Sequence, residues 1–149
     1  MTTLVEVAAG LSAAVNLTAG ALGAWAFYRV QTSRAFWWVL RAGQLCAVLL
    51  AVVVGVLAAT GREPREDLFY LYALLPLAVA FVGEQLRIAS AQTVLDTREL
   101  PDAAAVGRLP AERQRSVVMA IVRREMGVMT LAALVVCFLE LRALGTAGY

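Results

Sequence analysis

The stretch AGQLCAVLLAVVVGVLAATG, residues 42–61, runs for twenty residues without a charged side chain. A helix needs about 20 mostly apolar residues to cross the ~30 Å hydrocarbon core of a bilayer. This segment meets that length unaided and reads as a transmembrane helix. Three further charge-free runs cover residues 7–28, 68–83 and 126–139. The first is also long enough alone. The other two are short and must draw in polar flanks to cross. Spans are therefore expected at about 4–28, 36–60, 68–90 and 119–143, in one integral membrane domain over residues 1–149. The predicted fold is all-α: a polytopic four-transmembrane-helix bundle.

Composition agrees. Hydrophobic residues make up 61% of the chain and charged residues 16%, against about 25% charged in a soluble domain. The four spans and their links consume the chain, so no separate soluble domain fits. The N-terminal Met-Thr-Thr-Leu-Val-Glu carries no basic n-region, and the first run reads as a retained span rather than a cleaved signal. All thirteen basic residues are Arg, a bias that suggests a GC-rich bacterial genome and a bacterial inner membrane.

Arginine placement predicts topology. Arg29, Arg34 and Arg41 follow the first run. Arg87, Arg98, Arg108, Arg113, Arg115, Arg123 and Arg124 lie between the third and fourth. Arg62, Arg65 and Arg142 fall on the other side. The positive-inside rule puts both Arg-rich links in the cytoplasm and both termini outside. Trp25, Phe27, Tyr28, Phe36, Trp37 and Trp38 cluster at the same inner interface, and Phe69, Tyr70 and Tyr72 at the outer one. Gly61 and Pro64 predict a tight outer turn.

The third and fourth helices outlast the bilayer. No Gly or Pro interrupts residues 84–100 or 111–126. The third helix can run from about Leu68 to Leu95, and the fourth from near Pro110, a good first-turn position, to about Ala143. Their inner ends are expected to form a cytoplasmic helical hairpin over about 91–118, closed by a loop from Asp96 to Leu109.

Several polar residues fall within these spans. Ser12, Ala13, Asn16, Gly20 and Gly23 recur at spacings of three and four and share one helix face. Gln44, Ala47, Ala51, Gly55 and Ala58 repeat the pattern in the second span. Small faces let helices approach, and an Asn or Gln can hydrogen-bond across the contact. These are read as packing seams with one polar clasp each. The sharper alternative is that Asn16 and Gln44 line a ligand path. Glu84, after sixteen uncharged residues, raises a proton-relay or substrate-pairing role. The favoured reading is an interfacial ion pair with Arg123 or Arg124. Gln85 follows Glu84 on the same segment, and Arg87 can pair with Glu84 along its helix or with Glu125 across. Pro76 can kink the third helix. Glu140 and Arg142 are expected to reach headgroups. Cys46 and Cys137 lack CxxC spacing and read as small buried hydrophobes.

Function classes narrow by exclusion. The chain has no His, which argues against haem ligation and a Ser–His–Asp triad. No Walker A loop, GxGxxG, HExxH or GxSxG pattern occurs. No catalytic, cofactor-binding or metal-ligating set is expected, and no nucleic-acid partner. The leading expectation is a non-enzymatic accessory, scaffold or interaction subunit, with an Arg-rich hairpin that meets a membrane-protein partner, another copy of itself, or anionic lipid at the cytoplasmic face. The alternative is a small oligomeric transporter or channel using Glu84, Asn16 and Gln44. A lipid- or quinone-handling enzyme is the third class.

Overall fold

The computed structural model describes residues 2–62, 64 and 66–147. Arg65, counted above on the outer side, lies outside the described residues, as do the terminal residues themselves. The described chain is helical throughout, without strands: α1 (Thr2–Arg29), α2 (Arg34–Ala59), α3 (Leu68–Thr97), α4 (Ala103–Gly107) and α5 (Ala111–Thr146). Four of these, all but α4, are long and apolar enough to cross a membrane. The protein is thus a multi-pass helical membrane bundle.

Each helix stops for a local reason. At the ends of α1, α2 and α3, Val30, Gly61 and Glu99 adopt positive φ of 54°, 74° and 57°. The left-handed turn lets a following amide cap the last carbonyls. Gln31 N bonds to Ala26 O at 3.0 Å, Arg62 N to Leu57 O at 3.1 Å and Leu100 N to Leu95 O at 2.9 Å. Only Gly61 takes this shape without cost. Val30 is β-branched, and the left-handed conformation costs an L-residue about 1–2 kcal/mol. The starts of α2 and α4 are capped by side chains. Ser33 Oγ accepts from Phe36 N at 3.1 Å and Asp102 Oδ1 from Ala105 N at 2.7 Å. The Asp96–Leu109 link is therefore not wholly irregular: it carries the short helix α4.

The four long helices form an antiparallel ring. α5 packs most extensively on α3 and α1; α1 also lies along α2, and α2 touches α3 more lightly. Lipid tails are as apolar as Leu, so close packing rather than water exclusion holds such helices together. Two apolar clusters fill the interior. One joins Val5 and Ala9 to Leu50, Val54, Phe69, Ala73 and Ala143. The other, nearer the Arg-rich end, joins Ala19 and Ala26 to Phe36, Leu40, Met126, Met129 and Ala133. A third cluster, Val94, Leu95, Val106 and Val117, lies where the last turns of α3 and the first turns of α5 pack around α4.

The α1 face behaves as read: Ser12, Ala13, Asn16, Gly20 and Gly23 are all buried. The α2 face is rotated. Its buried line is Phe36, Leu40, Gly43, Ala47, Leu50, Ala51, Val54 and Leu57; of the expected stripe Ala47 and Ala51 are buried and Gln44 is half-buried, while Gly55 and Ala58 are exposed. Pro76 is buried, and α3 continues helically through it.

Candidate functional site: a polar clasp inside the bundle

Between the two apolar clusters of the spans lies a polar group drawn from three helices. α1 supplies Ser12 and Asn16, one turn apart, α2 the Gly43 carbonyl, and α5 Glu140. The Ser12 hydroxyl donates to Glu140 Oε1. Asn16 Nδ2 donates to Glu140 Oε2 at 3.2 Å and lies 3.1 Å from Ser12 O and 3.4 Å from Gly43 O. Glu140 and Ser12 are fully buried and Asn16 is 1% exposed. The fit depends on Gly43, because a Cβ there would come within 2.6 Å of Asn16 Oδ1. Glycine here lets the α2 backbone itself serve as the acceptor.

This placement overturns one expectation. Glu140 does not reach the headgroups; it turns inward, and only Arg142 is exposed, its guanidinium 5.4 Å above the Tyr72 ring. The two residues are about 200° apart around the helix at 3.6 residues per turn, so they cannot share a face. Glu140 instead continues the line Met126, Met129, Ala133, Val136, Ala143, all buried.

A second polar group lies toward the Arg-rich end. Glu84 Oε1 is 2.5 Å from Arg41 Nη1 and accepts from Gln44 Nε2 at 3.1 Å. Glu84 Oε2 accepts from Arg87 Nε at 2.9 Å, and Arg87 Nη1 reaches Glu125 Oε2 at 3.9 Å. Arg41 also donates to Gln44 Oε1 at 2.6 Å. The cluster ties α2, α3 and α5 together. The expected pairing of Glu84 with Arg123 or Arg124 is absent among the described residues. Arg123 faces α1, with its guanidinium 4.8 Å from the Phe27 ring centroid. The partner comes from α2, whose Arg41 and Gln44 stand one turn apart on the side facing α3. Both anticipated contacts of Arg87, with Glu84 and with Glu125, are present. Arg124 and Gln85 are exposed and outside the cluster.

Asn16 and Gln44 thus each join a carboxylate, but different ones. The two groups meet along α2 at consecutive residues, since Gly43 touches Asn16 and Gln44 touches Glu84. Cys46 and Cys137 are free thiols. Thr130 Oγ1 is buried without a hydrogen-bond partner, beside Gly23.

Cavities lined wholly by described residues lie elsewhere. One of about 390 Å³ is an apolar groove between α3 and α5, from Leu75 to Val135. One of about 430 Å³ sits beside the third cluster, bordered by Arg98, Leu100, Glu112, Arg113 and Ser116. No grouping of three or more acidic or Cys side chains suited to a metal ion occurs among the described residues. No protein-family model, curated protein or solved structure matches this chain.

Proposed function

We propose that this protein is a non-enzymatic accessory subunit of a bacterial inner membrane, presenting the joined ends of α3, α4 and α5 to a protein partner in the cytoplasm. The observation that carries the reading is where the polar chemistry lies. Asn16, Gln44, Glu84 and Glu140 are engaged with one another between helices, whereas the protruding end is exposed and polar. At 1.5 Å per residue, the 30 residues of α3 extend for about 45 Å and the 36 of α5 for about 54 Å. Both exceed the ~30 Å core.

Charge favours a protein over a lipid surface as the occupant of that end. Across residues 89–122, Arg98, Arg108, Arg113 and Arg115 are balanced by Asp96, Glu99, Asp102 and Glu112. A segment with no net charge gains little from an anionic membrane. Arginines nearer the belt, Arg29, Arg34, Arg123 and Arg124, are better placed to meet anionic headgroups.

A photo-crosslinking amino acid at Arg108 or Arg115 in growing cells is expected to give discrete protein adducts. The same probe at Phe81, on the lipid face of α3 and 65% exposed, is expected to give none. Absence of adducts at both hairpin positions would remove the accessory reading. Sidedness has its own test. In a variant lacking Cys46 and Cys137, an external thiol reagent should label Cys placed at Thr146 and not at Ala104. The reverse pattern would invert the topology.

A second reading, a small oligomeric transporter, is favoured by Asn16 touching a carboxylate inside the membrane. It requires ion flux through vesicles holding the purified protein, lost on Asn16→Leu and on Glu84→Gln.

A further inference from the structure

We propose that Glu140, gripped by Ser12 and Asn16 against the Gly43 carbonyl, is a proton-binding site within the membrane. The geometry rests on four features. First, the site is deep. Glu140 shares its level with Ser12 and Asn16, and Asn16 stands thirteen residues, about 20 Å of helix, from the Arg29 end of α1.

Second, no cation among the described residues pairs with it. Glu84 faces Arg41 and Arg87, and Glu125 faces Arg87. Among the described residues, Glu140 meets a hydroxyl and an amide. α2 has no charged residue from Ala42 to Ala59, and α3 none from Leu68 to Gly83. The neighbouring titratable side chains are the thiols of Cys46 on α2 and Cys137 on α5, both within electrostatic reach of Glu140. α3 brings Tyr70 and Tyr72 to this end of the bundle. Arg142 on α5 is engaged with Tyr72, and Glu6, the acid on α1, is exposed. An isolated carboxylate so placed is costly, and neutralising it by a proton removes that cost.

Third, the partners suit both protonation states. The Ser12 hydroxyl can donate to the carboxylate or accept from the acid, and the Asn16 amide donates to Oε2 in either case. Fourth, the occupant is a proton and not a metal ion. Ser12 touches Oε1 directly. The Asn16 NH2 group stands where Ser12 O, Gly43 O and Glu140 Oε2 converge, so a donor already fills the position a metal would take.

The balance is simple. Glu140 carboxylate takes a proton from water and becomes the neutral acid; release returns the proton to water. The shorter path leads to the end of the bundle where α5 finishes, six residues or about 9 Å from Glu140 to Thr146. Because one carboxyl joins α1, α2 and α5, its proton occupancy couples to the packing of all three. This inference stands apart from the hairpin reading and survives its failure.

Infrared difference spectroscopy of the full chain in phospholipid vesicles, acid minus alkaline, tests it. A carbonyl band of a buried neutral carboxylic acid is expected, appearing on the acid side and vanishing on the alkaline side. It should be lost in Glu140→Gln and kept in Glu84→Gln. Ser12→Ala should keep the band and move it to higher wavenumber, because a hydrogen bond to the carboxyl has gone in either protonation state. Ser12→Ala also serves if the Gln variant fails to fold. No titrating band in the native protein, a band that persists in Glu140→Gln, or an unmoved band in Ser12→Ala would overturn the proposal.

Discussion

Gly23→Val is expected to destabilise the bundle by about 2–3 kcal/mol, the upper range for overpacking a tight interior. A Cβ at Gly23 would overlap Thr130 Oγ1 from α5 and come within 2.6 Å of Phe36 Cε2 from α2. Both neighbours are buried, and Phe36 is 0% exposed, so neither ring nor hydroxyl can swing into lipid. Relief must come from moving whole helices. Gly10 on the same helix is the control, since nothing lies within 4 Å of its Cβ position. Gly10→Val should change stability by less than about 0.5 kcal/mol, as is usual where a substitution disturbs no packing. Reversible unfolding in mixed micelles, read by helix content, gives both numbers. Equal effects at Gly10 and Gly23 would mean that α1, α2 and α5 do not meet at Gly23.

The second large effect is expected at Glu84. Glu84→Gln leaves Arg41 without its carboxylate and Arg87 with only the longer 3.9 Å contact to Glu125. Removing one partner of a fully buried pair costs about 3–5 kcal/mol. Here the side chains are 49% exposed for Arg41, 28% for Arg87 and 25% for Glu84, so water supports the stranded charges and the cost falls to about 1–2 kcal/mol. A double-mutant cycle locates the interaction. Arg41→Gln and Arg87→Gln should each couple to Glu84→Gln, whereas Arg123→Gln and Arg124→Gln should be additive with it within about 0.5 kcal/mol. Coupling to Arg123 or Arg124 instead would restore the α3–α5 pairing that the sequence suggested.

These two sites also mark where sequence patterns carry information and where they fail. Charge-free length identified the four membrane helices, since only the membrane explains so many uncharged residues in a row. Small-residue spacing located the α1 seam correctly, because Ser12 and Asn16 stand out among Ala and Leu. The same device was right for the middle of the α2 seam, Ala47 and Ala51, and off by about one residue toward its end, where Val54 and Leu57 are buried instead of Gly55 and Ala58. Nearly every residue of 42–61 is apolar, so no polar face opposes the buried one and the phase of the helix is undetermined. Gln44 drew the seam toward itself, although Gly43 is the residue that meets Asn16.

The inward turn of Glu140 is hard to see in the sequence for a different reason. A charged residue near a span end can snorkel to the interface cheaply, and position alone does not distinguish that from an inward carboxylate. A signal was present in the spacing. Met126, Met129, Ala133, Val136, Glu140 and Ala143 advance by three or four residues at each step, so Glu140 occupies a seam position. Of the two cations on Glu84, Arg87 is legible from its spacing of three along the same helix, whereas Arg41 is not. Arg41 lies far away in sequence, and nothing local announces that α2 flanks α3 at that level.

The central claim, that Ser12, Asn16 and Glu140 are joined inside the membrane, is tested most directly by solid-state NMR of the protein in phospholipid bilayers. The measurement is the dipolar contact between the Asn16 side-chain nitrogen and the Glu140 carboxyl carbon. The expected result is a short-range cross-peak between them, consistent with the 3.2 Å Nδ2–Oε2 separation, with no contact from Glu140 to headgroup protons. A Glu140 carboxyl that shows headgroup contacts and no Asn16 cross-peak would contradict it.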